Sequence, residues 1–84
     1  MSVPVKLTLY TRIGCHLCED MEQVLRELAT EHEFVIDSVT IETDPELERS
    51  YGAKVPVLAL GDVEICHYFL DRVALMNALD EVRA

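Results

Sequence analysis

A mixed α/β fold of order β-α-β-α-β-β-α, with a small four-stranded sheet flanked by helices, is the class predicted for this 84-residue chain. Three observations lead there. Residues 5–10 alternate in polarity, the run after Leu17 switches to helical spacing, and residues 55–60 are continuously apolar, as in a central strand. The length allows one domain, residues 1–84, with one small core.

The elements follow in order. In residues 5–10, Leu7 and Leu9 share one face and Lys6, Thr8 and Tyr10 the other, a strand pattern. Gly14 permits a turn. From Leu17, the apolar positions Met21, Val24, Leu25 and Leu28 form a helical stripe opposite Glu19, Asp20, Glu22, Arg26 and Glu27. Acids in its first turn suit the positive end of the helix dipole. Residues 34–41, "FVIDSVTI", are rich in β-branched side chains and predict a second strand. In "TDPELERSYG", Asp44 caps a short helix, Pro45 takes its first position and Gly52 closes it in a left-handed conformation.

The third strand is placed at residues 55–60. Gly61-Asp62 is a two-residue hairpin loop leading to a fourth strand at 63–66. A last helix is expected from about Asp71, with Leu70 and Leu75 packed across its start and Val73, Met76, Leu79 and Val82 facing the core. The leading β-α-β unit implies a parallel pair with a crossover helix, and the hairpin adds an antiparallel pair.

Composition narrows the function. Sixteen acidic side chains against seven lysines and arginines give a formal net charge of −9, which would repel phosphate backbones, so no nucleic-acid partner is expected. No apolar run has the length of a membrane span, and no signal-peptide core is recognisable, so no membrane partner is expected. Three cysteines are too few for a secreted disulfide framework, and a cytoplasmic location is the expectation.

The chemistry centres on Cys15 and Cys18, two residues apart where the first strand gives way to the helix. Unpaired backbone N–H groups and the helix dipole stabilise a thiolate at that position. A thiolate on Cys15 attacks a disulfide, and Cys18, one turn later and on the Leu17–Met21 side, resolves the mixed disulfide. Two alternatives stay open. Either the chain binds metal, with Cys15, Cys18, Cys66 and His67 as zinc-like ligands or with Cys15 and Cys18 holding an iron–sulfur cluster bridged between two subunits, or the domain is a non-catalytic interaction module.

These residues carry a family resemblance. The chain resembles the thioredoxin fold and, within it, short bacterial glutaredoxin-like proteins. "LYTRIGCHLC" is similar to the glutaredoxin pattern of a strand, Tyr, a basic residue and Cys-Pro-Tyr-Cys; "YGAKVPVL" is similar to its Thr-Val-Pro segment. The resemblance implies a thiol–disulfide oxidoreductase with Cys15 and Cys18 as the redox pair. It implies that Arg12, at a position usually Lys, helps hold the thiolate and a glutathione carboxylate. It also implies that Pro56 is a cis-proline leaving the Val55 backbone free to pair with a substrate.

The departures are Cys-His-Leu-Cys for Cys-Pro-Tyr-Cys, Lys54 for Thr, and no recognisable Gly-Gly-X-Asp segment in "VEICHYFLD". They favour a protein disulfide over a glutathione mixed disulfide as substrate. No bound cofactor is expected, glutathione is a candidate co-substrate, and a monomer is expected.

His16, between the cysteines, adds positive charge to the thiolate when protonated, or is a plain exposed helix-start residue. Arg12 and Lys54 either form a local positive patch near Cys15 or pair with acids such as Glu19 and Asp20. Cys66 is read as a small core residue, His67 and Tyr68 as loop or packing residues, and His32 as an ordinary helix end.

Overall fold

The computed structural model describes residues 4–83; of the span expected to form one domain, residues 1–3 and 84 lie outside the described residues. The element order is β1 (Val5–Thr11), α1 (His16–His32), β2 (Phe34–Thr40), a 3₁₀ turn (Ile41–Thr43), α2 (Pro45–Tyr51), β3 (Val57–Leu60), β4 (Val63–His67) and α3 (Arg72–Arg83). The sheet runs β2-β1-β3-β4. β1 and β2 are parallel, with Leu7 opposite Ile36. β3 lies antiparallel to β1, with Leu9 opposite Leu58, and antiparallel to β4 across the hairpin. The expected β-α-β-α-β-β-α order and mixed sheet are therefore observed.

Alternation on β1 splits the molecule into two layers. Leu7 and Leu9 are fully buried with Phe34, Leu58, Met21 and Leu25 of α1, and Leu75 and Leu79 of α3, in one cluster. α1 and α3 therefore cover one face. Tyr10 points the other way and stacks on Tyr51 of α2, with ring centroids 4.3 Å apart, so α2 covers the second face. Burying each of the large aliphatic side chains contributes roughly 1.5–3 kcal/mol.

Several elements differ in detail from the sequence expectation. On α1 the buried stripe is Cys18, Met21 and Leu25, whereas Leu17 is exposed. Leu17 lies one position off that stripe and lines a surface hollow with Tyr68, Phe69 and Leu70. Ile41 ends β2 by entering the 3₁₀ turn, yet stays fully buried. β3 begins at Val57, not Val55, because the chain reaches the sheet only after Pro56.

Asp44 caps α2 as expected, its carboxylate accepting from Glu46 N at 2.9 Å with Pro45 in the first turn. Gly52, however, is right-handed, with φ −53°, not left-handed. Its missing side chain serves a close approach instead, since a Cβ there would collide with the Glu48 carbonyl oxygen. At the far end, Asp71 caps α3 by accepting from Ala74 N at 3.0 Å. Leu75 and Leu79 are buried, but Val73 and Val82 face solvent, because the stripe is phased on Leu75.

Candidate functional site

The site lies at the carboxyl end of β1. Gly14, at φ 75°, turns the chain out of the strand in the left-handed region where a side chain would be strained. Cys15 then takes an extended conformation as the N-cap of α1, and its sulfur accepts a hydrogen bond from Cys18 N at 3.1 Å. Cys15 and Cys18 are joined as a disulfide, with their Cα atoms 5.2 Å apart. The two sulfurs are unequally placed. Cys18 is 3% exposed on the buried stripe of α1, whereas Cys15 is half-buried at the surface.

The antiparallel register of β1 and β3 sets Tyr10 opposite Val57, so the segment before Val57 emerges at the same sheet end as the cysteine loop. The Val55–Pro56 peptide bond there is cis. Pro56 O accepts from Tyr68 N at 2.9 Å, and Ala53 O accepts from the Tyr68 hydroxyl at 2.6 Å. Tyr68 itself adopts φ 64°, a backbone state that glycine enters without strain. It thus ties the turn after β4 to the segment carrying Val55.

The basic residues of the site are engaged. Arg12 donates from Nη2 to Glu48 Oε1 at 2.5 Å, from Nη1 to Glu48 Oε2 at 3.3 Å and from Nη2 to Gly52 O at 3.1 Å. The hydrogen bond to Glu48 raises the Arg12 pKa above its ordinary value. Lys54 Nζ lies 3.3 Å from Glu64 Oε1, and His67 Nδ1 lies 2.7 Å from Glu64 Oε2. The hydrogen bond with His67 holds the Glu64 carboxyl below its usual value against the opposing effect of burial, and the hydrogen bond from Lys54 adds to the lowering. Arg12 and Lys54 thus pair with Glu48 and Glu64 and not with Glu19 or Asp20. Both partners reach the site from other elements of the fold.

His16 projects into solvent with a 95% exposed side chain, its Nδ1 4.0 Å from Glu19 Oε2. Cys66 sits half-buried on β4 against the core cluster, and burial pushes its thiol pKa up. Among the described residues, no three His, Cys, Asp or Glu side chains gather as a metal-binding group, so Cys66 and His67 do not join the cysteine pair as a ligand set. No helix of the described residues is long and apolar enough to cross a membrane.

Three features of the site had escaped the sequence reading. Glu48 faces Arg12 from α2, and Glu42 accepts from Ile13 N at 2.6 Å. Ile13 and Phe69 stand exposed, at 78% and 71%. The acids stand 29 and 36 residues from their partners Ile13 and Arg12, and no local pattern marks such a pair. The apolar residues carried a signal, since "YFL" interrupts the polar punctuation expected before a helix.

Comparison with known proteins agrees with this geometry. Residues 6–80 match the family described as the glutaredoxin-like domain (DUF836). A Nitrosomonas europaea protein with a solution NMR structure is 40% identical, covering 93% of this chain and 94% of its own, with a TM-score of 0.82. An X-ray structure of an X. campestris protein is 38% identical over 89% of this chain and 96% of its own, with a TM-score of 0.64. Thioredoxin 1 of Thermosipho africanus, at 15% identity, shares the fold with a TM-score of 0.61 over 94% of this chain and 99% of its own. No curated protein sequence matches. With its cysteine pair bonded at the head of α1 and its sequence matched over nearly its whole length, the chain belongs to the glutaredoxin-like domain family of the thioredoxin fold.

Proposed function

We propose that this chain is a thiol–disulfide oxidoreductase in which Cys15 attacks and Cys18 resolves. The observation that carries the reading is the N-cap position of Cys15, whose sulfur already accepts a backbone N–H at the start of a 17-residue helix. In the reduced protein that N–H and the helix dipole favour the ionised sulfur, which is the nucleophile.

The cycle balances in two steps. The Cys15 thiolate attacks one sulfur of a substrate disulfide, forming a mixed disulfide and releasing the other sulfur as a thiolate. Cys18 then gives up its proton and attacks Cys15, releasing the second substrate thiol and closing the Cys15–Cys18 bond. The two protons of the original dithiol end on the two product thiols. Burial of Cys18 suits it to this second step, because it reaches Cys15 while remaining shielded from other partners. The Val55 backbone, beside the cysteine loop, supplies an edge along which an extended substrate lies.

The engaged state of Arg12 bears on the substrate. A guanidinium already held by Glu48 and Gly52 O is poorly placed to serve the sulfur or a glutathione carboxylate. A protein disulfide is therefore the preferred substrate. Cys18→Ser is expected to accumulate a mixed disulfide on Cys15, detectable by mass spectrometry, and Cys15→Ser to form none. Equal trapping in both variants refutes the assignment of roles.

A further inference from the structure

The charges around the disulfide form a pattern that thiol chemistry alone does not require. A surface cavity of about 520 Å³ beside Cys18 is lined by two basic residues, Arg12 and Arg26, and two acids, Glu19 and Glu22. Both cations are held: Arg12 by Glu48, and Arg26 by Glu22 at 3.4 Å. On the side of Val55, Lys54 is held by Glu64. Glu42 at Ile13, together with Glu19 in the first turn of α1 and Asp20 just after it, adds negative charge that no lysine or arginine among these contacts balances, with His16 4.0 Å from Glu19. Next to this rim, Leu17 and Phe69 frame a small apolar hollow of about 160 Å³, with Asp20 at its edge.

We infer that these carboxylates select a cationic disulfide, presented on a basic protein segment with apolar neighbours, over an anionic one. This rests on the oxidoreductase reading and names its substrate class. An anionic thiol compound such as glutathione must either displace Glu48 from Arg12 or approach the uncompensated acids. A lysine-bearing segment meets attraction from the same groups, and an apolar side chain next to its cysteine fits against Leu17 and Phe69. The whole chain, at −9, adds a field of the same sign. Glu48 thereby acts on specificity, by keeping Arg12, the one arginine or lysine within three residues of Cys15, from serving an anion.

The test uses the full-length protein, reduced at both cysteines, and three probes. Two are short synthetic peptides that differ only in carrying Lys or Glu around a Leu-Cys pair, each cysteine capped as its mixed disulfide with mercaptoethanol. The third is hydroxyethyl disulfide, which is neutral and small. Each rate is divided by that of dithiothreitol with the same probe, which removes intrinsic reactivity.

The lysine peptide is expected to react roughly three- to ten-fold faster than the glutamate peptide at low salt. The gap is expected to close in 0.5 M sodium chloride, at a screening length of about 4 Å, and to narrow in Glu48→Gln. Equal normalised rates for the two peptides, or a gap indifferent to salt, overturn the selection even if hydroxyethyl disulfide is reduced. Failure to reduce hydroxyethyl disulfide faster than Cys15→Ser overturns the oxidoreductase reading itself, and the selection with it.

Discussion

The Tyr68 hydroxyl donates to the Ala53 carbonyl at 2.6 Å, joining the turn after β4 to the segment that carries Val55 and Pro56. A side chain from one loop thus holds the backbone edge of another. Tyr68→Phe keeps the ring and removes only that bond. It is expected to cost about 0.5–1 kcal/mol in urea unfolding and to slow reduction of a peptide disulfide more than that of hydroxyethyl disulfide. An unchanged rate ratio would separate the Tyr68 contact from substrate positioning.

Gly52 is required for space, not for handedness. At φ −53° an alanine backbone is unstrained, but its Cβ meets the Glu48 carbonyl and carboxylate and approaches Arg12. Gly52→Ala is expected to destabilise the fold by about 1–3 kcal/mol, since backbone must shift. Chemical denaturation measures this directly; a stabilised variant would show that the α2 terminus yields without cost.

Leu25 of α1 lies fully buried in the core cluster with Leu7, Leu9 and Leu75. Leu25→Ala is expected to lose about 2–5 kcal/mol, the transfer term plus the cavity left behind. In so small a core that is a large part of a marginal stability, so the variant is best compared by its urea midpoint at low temperature.

Glu64 gives the stability a defined acid dependence. Its folded carboxyl titrates below the ordinary value of 4.5 because of the hydrogen bonds with His67 and Lys54. The stability it contributes is therefore complete above pH 4.5 and is lost as the pH falls through the lower folded value. The melting temperature of Glu64→Gln should fall below that of the parent at pH 6 and converge with it as the pH falls through that lower value. A constant difference across that range would assign the effect to packing.

Cys66 behaves oppositely. Burial raises its thiol pKa, so its contribution to stability is present below the ordinary value of 9.0 and is lost as pH rises through the higher folded value. In the reduced protein, iodoacetamide at pH 8 is expected to alkylate Cys15 well before Cys66, as peptide mapping would reveal. Faster labelling of Cys66 would contradict its packing against the core.

Much of the fold was legible locally. The alternation that buries Leu7 and Leu9, the Asp44-Pro45 cap, the Gly61-Asp62 hairpin and the cysteine pair ahead of a helix each depend on residues close in the chain. Such signals act through backbone geometry and short-range hydrogen bonds, so the linear order contains them. The phases of α1 and α3 were less legible. Leu17, Val73 and Val82 are apolar like their buried neighbours, and only the position of the sheet decides which apolar residues it covers.

By itself, the sequence determined a Cys-X-X-Cys pair at the start of a helix, in a β-α-β-α-β-β-α chain of strongly negative charge. Tertiary structure decided how that charge is arranged: Glu48 on Arg12, Glu64 on Lys54, Tyr68 on the segment of Pro56. These partners stand 10 to 36 residues apart. Electrostatic and hydrogen-bonding contacts act over a few ångströms of space whatever the chain separation, so they exist only once the strands have paired and α2 has closed over the sheet.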